Sequence, residues 1–191
     1  ELGVIKYSYC QFDGMLLRLY PSGRITLSGS LHKFKNDGLH NYDQFNQSDF
    51  NLVLIKLNKE FFVKPSELWF TKFEYGINFP LNFNVKEVLD GLILHKNIEF
   101  SKTIKKGMQF YFADHSKTKI KAYNKGLQYG LEKNLMRFEI KQENIDYKIR
   151  YELGIKTLED FVNSDKKFFV NQLIKTWDEI IFLDPSIEAL K

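Results

Sequence analysis

The sequence has one cysteine and four prolines among its 191 residues, and it has no long hydrophobic run. A single cysteine, Cys10, cannot form an internal disulfide or supply a cysteine-based zinc cluster. No apolar stretch has the length of a membrane span, and no signal peptide opens the chain. We therefore expect a protein of the reducing cytoplasm with no membrane partner. Because the chain begins with Glu1 rather than Met, we also expect the natural protein to extend at either end.

The chain also lacks internal repeats, low-complexity tracts and a Pro/Gly-rich linker, which predicts one domain over residues 1–191. Hydrophobic residues make up 43% and aromatic residues 16% of the chain, enough for a packed core and too many for a disordered protein. The net charge is only +4. That charge permits binding to nucleic acid without requiring it, because a basic patch can exist within a modest total.

Hydrophobic spacing predicts an α+β domain with an antiparallel sheet of five or more strands and helices packed on one face. The irregular stretch 29–47 is long for a compact domain, which indicates a binding role. Alternation predicts strands at 15–20, 24–28, 69–79, 108–113, 117–125 and 135–142. Helical spacing predicts helices at 48–61, 85–94, 158–162 and 167–182, with 157–191 forming the C-terminal helices.

Side chains alternate between the two faces of a strand, so each predicted strand separates an apolar face from a polar one. If the strands are neighbours, the polar faces form one surface, which could also be an ordinary solvated face. Two carboxylates on it could hold Mg²⁺ or Mn²⁺, a tyrosine could attack phosphorus, and lysines could neutralise a DNA backbone. The polar residues are Lys72, Glu74, Asn78, Gln109, Tyr111, Lys119, Lys121, Tyr123, Lys125, Arg137, Glu139 and Lys141.

Tyr123 is the preferred nucleophile, because Lys121 and Lys125 lie two residues away on either side. Nearby positive charge should favour the phenolate and attract phosphate. The alternative is a structural tyrosine at a strand end. Tyr111 is the second candidate, although a register shift of one residue would bury it between Phe110 and Phe112.

Glu74 and Glu139 are the expected metal ligands, and His40 in the long loop could be a third ligand, ahead of His32 and His115. For the two carboxylates the alternative is a surface salt bridge. Lys33 and Lys35 bracket Phe34, which would suit a DNA contact in which an aromatic ring stacks on a base. A solvated loop would explain that segment equally well. The expected DNA-binding residues are Lys33, Lys35, Lys119, Lys121 and Arg137.

Four segments, taken in order, resemble a known family. Residues 109–126 and 135–141 are similar to a pattern of Tyr-x-Gly-x-x-Ser, then Tyr-x-Lys, then Arg-x-Glu, with Ala113 where the pattern has Gly. Residues 25–45 resemble a Ser-Gly-Asn-x-x-Lys segment of the same family. Residues 73–78 place Glu74 where that family has an acidic residue on a strand. This order resembles the replication initiators of filamentous phages and their plasmid relatives, which are related to the His-hydrophobe-His endonucleases with a rearranged chain order.

The resemblance implies an HUH-endonuclease-like fold that nicks one strand of single-stranded or supercoiled origin DNA in a bacterial host cell. It implies a covalent 5′-phosphotyrosine, a free 3′-hydroxyl that primes synthesis, and host helicase and polymerase as partners. This chain has no His-x-His pair, so the metal ligands would have to be assembled differently. Two alternatives stay open. One is a single-stranded DNA-binding domain without catalysis, and the other is a structural or protein-interaction module.

Overall fold

The computed structural model describes residues 6–145 and 147–183. The chain forms two compact units, Glu1–Leu68 and Trp69–Lys191. The sequence predicts a single domain, whereas the structure divides into these two units. The end of the predicted C-terminal helical segment, 184–191, lies outside the described residues.

The first unit contains an antiparallel three-stranded sheet followed by two helices. The first hairpin turns at Asp13 and Gly14, which both have positive φ angles, 46° and 77°. The sequence-predicted strands 15–20 and 24–28 are confirmed to within one residue at each end. The elements are β1 (Ser8–Phe12), β2 (Met15–Leu19), β3 (Ile25–Gly29), α1 (Leu31–Lys35), α2 (Gln47–Phe61) and a 3₁₀ turn (Pro65–Glu67).

α2 begins after a capping box formed by Asn46 and Asp49, within one residue of the predicted start at 48. The Asn46 side chain accepts from the backbone N–H groups of Ser48 and Asp49, and Asp49 Oδ2 accepts from the Asn46 backbone at 2.7 Å. The apolar residues of α2 recur at helical spacing and bury Val53 and Leu57.

Three phenylalanine rings pack against one another in the first unit. Phe12 of β1 lies 6.4 Å from Phe34 of α1 and 6.2 Å from Phe61 of α2, measured between ring centroids. Phe34 is fully buried. One face of the three-stranded sheet is therefore covered by α1 and α2, because Phe12 points to that face.

The second unit is built on a five-stranded antiparallel sheet with strand order β4-β10-β9-β8-β7. A second small sheet has the order β11-β5-β6. The strands are β4 (Phe73–Pro80), β5 (Leu92–His95), β6 (Ile98–Glu99), β7 (Ser101–Lys105), β8 (Met108–Asp114), β9 (Thr118–Asn124), β10 (Leu135–Gln142) and β11 (Ile180–Phe182).

One face of the five-stranded sheet forms the hydrophobic core of the second unit. Phe138 and Ile120 are buried there, and Trp177 packs edge-on against Phe138 at 5.1 Å. The α+β class with an antiparallel sheet of five strands and helices on the core side agrees with the prediction. The helical elements are α3 (Val85–Asp90), α4 (Lys125–Gln128), a π-helical turn (Lys148–Glu152), α5 (Leu158–Asn163) and α6 (Lys167–Asp178).

Two predicted helices are shorter than their apolar spacing suggests. The helix predicted at 85–94 ends at Asp90, and residues 92–95 form β5 instead. The helix predicted at 167–182 ends at Asp178, and residues 180–182 form β11, which pairs with β5. Short apolar runs fit either element by periodicity, and here the pairing of the two runs with each other decides in favour of strands. Within the described residues, no helix is long and apolar enough to cross a membrane.

Candidate active site

The cross-strand register brings most of the predicted polar residues onto one face of the five-stranded sheet, here called the polar face. β10 pairs with β4 on one side and with β9 on the other. Directly opposed residues of antiparallel strands point to the same side of a sheet. The rows across the three strands are Asn78 with Arg137 and Tyr123, Gly76 with Glu139 and Lys121, and Glu74 with Lys141 and Lys119.

Gly76 provides the space that the centre of the polar face requires. A Cβ at this position would lie 2.4 Å from the Phe138 carbonyl oxygen and 2.5 Å from the Glu139 Cβ. The Arg137 guanidinium extends toward β4, where its Nη1 donates to Asn78 Oδ1 at 3.1 Å and to the Gly76 carbonyl oxygen at 3.4 Å. The glycine therefore allows Glu139 and the neighbouring Arg137 to lie flat against the sheet.

Glu139 is the most deeply buried carboxylate of the polar face, with a relative exposure of 2%. Its Oε2 accepts from Arg137 Nε at 2.8 Å, and its Oε1 contacts the Lys121 ammonium. The same ammonium lies 3.6 Å from Glu74 Oε1. Burial lowers the pKa of Lys121, while the Glu74 carboxylate acts in the opposite direction. The two predicted metal ligands thus converge on one cation.

The two carboxylates are a pair of hard oxygen ligands of the kind that Mg²⁺ uses together with water or phosphate oxygens. Lys121 occupies the cationic position between Glu74 and Glu139. Among residues 6–145 and 147–183, no group of three or more His, Cys, Asp and Glu is arranged to hold a metal ion. A divalent cation fits here only if Lys121 moves away from the two carboxylates. Other oxygens must then complete the set of ligands.

His40, the predicted third ligand, belongs to the first unit. Its Nδ1 lies 3.4 Å from Asp43 Oδ1, and its ring stacks on Tyr42 at 4.3 Å. His32 Nε2 lies 2.5 Å from the same Asp43 oxygen. Both imidazoles are therefore engaged by a carboxylate of their own unit, and a role for His40 as a metal ligand stays a prediction.

His115, which we ranked below His40 as a ligand, lies in a chain of hydrogen bonds in the second unit. Its Nε2 lies 2.9 Å from His95 Nδ1, and His95 Nε2 lies 3.1 Å from Glu179 Oε2. Burial lowers the pKa of His95, against the opposing hydrogen bond to Glu179. His95 presents different ring nitrogens to its two partners, so the three side chains do not converge on a common point.

Tyr123 is held among cations on the polar face and is itself buried, with 5% exposure. Lys125 Nζ donates to the Tyr123 hydroxyl at 3.3 Å, and Lys121 Nζ lies 5.5 Å from the ring centroid. Burial raises the pKa of Tyr123 to about 12, although Arg137 acts in the opposite direction. We expected the neighbouring cations to favour the phenolate, and this expectation is wrong. Burial raises the pKa of Tyr123 by more than the cations lower it, so the phenol is protonated at neutral pH.

Lys125 reaches Tyr123 because the chain leaves β9 at Asn124. The Asn124 side chain accepts from the Leu127 backbone at 2.8 Å and caps α4, so Lys125 is the first residue of a helix rather than the last of a strand. Gly126 follows, where a Cβ would lie 2.2 Å from the Lys133 carbonyl oxygen. Lys125 is almost completely buried, with 1% exposure, which is rare for a lysine.

Tyr111 does not share the polar face with Tyr123, contrary to our expectation. In β8 it is Phe110 that pairs with Tyr123, whereas Tyr111 pairs with Ala122 and points into the core. Its hydroxyl donates to Asp90 Oδ1 of α3. Because the phenol is buried under a helix, Tyr111 is excluded as a second nucleophile at this site.

Phe110 and Phe112 lie on the polar face, because they alternate with Tyr111 in β8 and pair with Tyr123 and Lys121. Phe110 lies 5.0 Å from Tyr123 between ring centroids, and the Lys119 ammonium lies 5.4 Å from the centroid of Phe112. The run Phe-Tyr-Phe places an aromatic residue on each face of β8. Only the pairing with β9 shows which of these residues lies on the polar face.

The predicted DNA-binding cations are extensively paired with carboxylates. Lys119 lies 2.6 Å from Asp114, and Lys35 lies 3.1 Å from Asp43 and 3.4 Å from Asp49. Lys121 and Arg137 hold Glu139 as described above. Lys33 lies beside Lys35 in α1, but Phe34 between them is fully buried and cannot stack on a base. The aromatic part of that predicted contact is therefore wrong.

Comparison with known proteins found no matching family model, no matching curated protein and no matching solved structure.

Proposed function

We propose that this chain is the nicking domain of a rolling-circle DNA replication initiator. In this proposal it cleaves and rejoins one strand of single-stranded or supercoiled origin DNA, through Tyr123 and with Mg²⁺ or Mn²⁺. The observation that carries the proposal is the Tyr123 hydroxyl, 3.3 Å from Lys125 Nζ and on the same face as Glu74 and Glu139. A phenol, two cations and two carboxylates on one sheet face match the requirements of phosphoryl transfer to tyrosine.

The proposed step is a transesterification. The Tyr123 oxygen attacks the phosphorus, and the bond between phosphorus and the 3′-oxygen of the preceding nucleotide breaks. The phenolic proton passes to water, and the departing 3′-oxygen takes a proton from water. The products are a 5′-phosphotyrosine and a free 3′-hydroxyl. One phosphoester replaces another, so attack of a 3′-hydroxyl on the phosphotyrosine rejoins the strand.

Lys125 and Arg137 have the role of stabilising charge in this step. With a pKa of about 12, Tyr123 must develop negative charge during attack rather than before it. The Lys125 ammonium donates to the reacting oxygen, and Arg137 lies directly opposite Tyr123 in the register. Fixed cations at a site of developing charge lower the barrier most where little water competes for that charge, and the Tyr123 side chain is only 5% exposed. A divalent cation held by Glu74 and Glu139 would polarise the phosphate.

A second candidate, binding of single-stranded DNA without cleavage, is favoured by one observation. Lys121 already neutralises both carboxylates, as a purely structural ion pair would. A sheet face with Phe112 beside Lys119 and Phe110 beside Tyr123 would still offer rings and cations to a DNA strand.

The position of a label distinguishes the two candidates. A pool of single-stranded oligonucleotides of random sequence would be incubated with the protein and Mn²⁺, with the label at either the 3′ or the 5′ end. Nicking predicts that 3′ label migrates with the protein on a denaturing gel. It also predicts that 5′ label appears in shortened, free strands that a polymerase can extend. Chelation of the metal should abolish both products. Binding without cleavage predicts full-length strands and no adduct under all conditions.

A further inference from the structure

The face of the three-stranded sheet opposite Phe12 is rich in tyrosine and arginine. Tyr9 of β1 pairs with Arg18 of β2, and Tyr20 bonds through its backbone N–H to the Arg24 carbonyl oxygen at 2.9 Å. Phe12, which lies at the opposite parity in β1, points to the core instead. The five residues of this tyrosine–arginine face are Tyr7, Tyr9, Arg18, Tyr20 and Arg24.

These five side chains are organised by contacts among themselves. The Tyr7 ring lies 5.6 Å from Tyr20 and 6.4 Å from Tyr9, measured between centroids. The Arg24 guanidinium lies 4.2 Å above the Tyr20 ring, and that of Arg18 lies 5.5 Å from the Tyr7 ring. Tyr9 keeps 70% of its surface exposed. The rings thus contact one another beside the sheet, and the Tyr9 ring is largely exposed to a partner.

The charge on this face has one sign. Asp13 is the only carboxylate between residues 7 and 28, and it lies in the hairpin turn, 2.7 Å from the Lys56 ammonium. In the part of the chain that the structure describes, neither Arg18 nor Arg24 forms an ion pair with a carboxylate. Lys35, Lys119, Lys121 and Arg137, in contrast, are each paired with at least one carboxylate.

We propose that the tyrosine–arginine face binds single-stranded nucleic acid. In this proposal bases stack on Tyr9 and the neighbouring rings, and Arg18 and Arg24 contact the phosphates. Rings on an open sheet surface are a common platform for unpaired bases, and unpaired arginines attract a polyanion. A face with cations alone would fit any polyanion. The exposed ring is what favours a ligand that has flat, stackable bases as well as phosphates.

This surface adds a binding site to the proposed function and does not depend on the chemistry at Tyr123. Binding would be measured with the Tyr123→Phe variant and without divalent metal, so that loss of cleavage cannot alter the result. The probe would be a short fluorescent oligothymidylate, observed by anisotropy. The corresponding RNA, a duplex and heparin would be compared with it. DNA and RNA both carry stackable bases and phosphates. The relative affinity for the two strands therefore shows which of these nucleic acids the face prefers.

Tyr9→Ala should weaken binding of the oligothymidylate about tenfold, the loss typical of one stacked base. Tyr9→Phe should retain binding, because it keeps the ring. Tyr147→Ala is the matched control, since Tyr147 is 71% exposed in the second unit. Affinity for heparin, which has no bases, should not change in Tyr9→Ala. Unchanged DNA binding in Tyr9→Ala, or an equal loss for heparin, would overturn the proposal.

The arginines provide a second test that does not depend on how well Tyr9→Ala folds. Arg18→Gln combined with Arg24→Gln should reduce the slope of log affinity against log salt by about 1.4, because each contact to a phosphate of a single strand contributes about 0.7. Lys59→Gln combined with Lys64→Gln removes the same charge from exposed positions of the first unit and should leave the slope nearly unchanged. An unchanged slope in the arginine variant would contradict the assignment. Displacement of the DNA by an acidic peptide of equal affinity would point instead to a protein partner and would also overturn it.

Discussion

Tyr111 and Tyr123 lie on neighbouring strands of one sheet, yet their side chains point to opposite faces. Tyr123 pairs with Phe110 on the polar face, and Tyr111 pairs with Ala122 on the core face. Burial and the hydrogen bond to Asp90 raise the pKa of Tyr111. The two phenols therefore cannot act on the same phosphate, and a single tyrosine must carry the proposed chemistry.

Tyr111→Phe should lower the free energy of unfolding by about 1.5 kcal/mol, the low end for a hydrogen bond to a charged group, because the Asp90 side chain is 38% exposed. The ring remains in the core, and the Asp90 carboxylate keeps its contact with the Lys86 ammonium. Urea unfolding would measure the change. The yield of protein–DNA adduct should equal that of the wild type, and loss of the adduct in this variant would contradict the assignment of the faces.

The two carboxylates of the polar face should differ in their effect on stability. Glu139→Gln removes a buried charge between Arg137 and Lys121, so we expect a loss of about 3 kcal/mol in the free energy of unfolding. Glu74→Gln should cost less than about 1 kcal/mol, because the Glu74 side chain is 40% exposed. Denaturant unfolding of the two variants in parallel checks this order.

Both substitutions should also reduce nicking, on the order of 100-fold or more, if the carboxylates hold the metal that polarises the phosphate. The nicking rate would be measured with Mn²⁺ at a temperature where both variants are folded. Glu143→Gln is a matched control, because Glu143 pairs with Lys72 and Lys141 beyond the end of β10. Full activity in Glu139→Gln would show that Glu139 is not a metal ligand.

Asp43 should contribute to stability in a defined acid range. Although burial raises its pKa, hydrogen bonds from Lys35, His32 and Asn36 lower it to about 2, from 3.8 for an unperturbed aspartate. A carboxyl with a depressed folded-state pKa stabilises the fold above the unfolded value, and this contribution is lost as pH falls from 3.8 toward 2. Asp43→Asn should therefore lower stability at pH 6 and flatten the acid dependence in the range below about 4. Thermal unfolding across pH, compared with wild type, measures both effects, and parallel curves would contradict them.

The sequence predicted the polar face well where strands alternate clearly. In β9 and β10 a polar side chain occurs at every second position, and in β4 Glu74 and Asn78 flank Gly76, so the shared face of Glu74, Tyr123 and Glu139 follows from the pattern. β8 was the exception. Its aromatic residues make both faces apolar, and the phase of Tyr111 depends on pairing with β9, which is a non-local property.

Features that depend on local turns and on neighbouring elements were not predictable from periodicity. α1 turns Phe34 into the core, which removes it from the predicted DNA contact. The cap at Asn124 ends β9 and places Lys125 beside the Tyr123 hydroxyl. The tyrosine–arginine face was also missed, because only Tyr9 and Arg18 lie in strands, and the residues that flank the strands join them only in the folded sheet.

The most direct test of Tyr123 as the nucleophile compares formation of the covalent adduct by the Tyr123→Phe and Tyr111→Phe variants. Both variants would be incubated with 3′-labelled single-stranded DNA and Mn²⁺ and analysed on denaturing gels. Tyr123→Phe removes the attacking oxygen but keeps the ring beside Phe110, so the adduct should disappear while DNA binding survives. Tyr111→Phe should form the adduct normally. An adduct that persists in Tyr123→Phe, or that is lost only in Tyr111→Phe, would contradict Tyr123 as the nucleophile. Cleavage without any adduct would assign the attack to water.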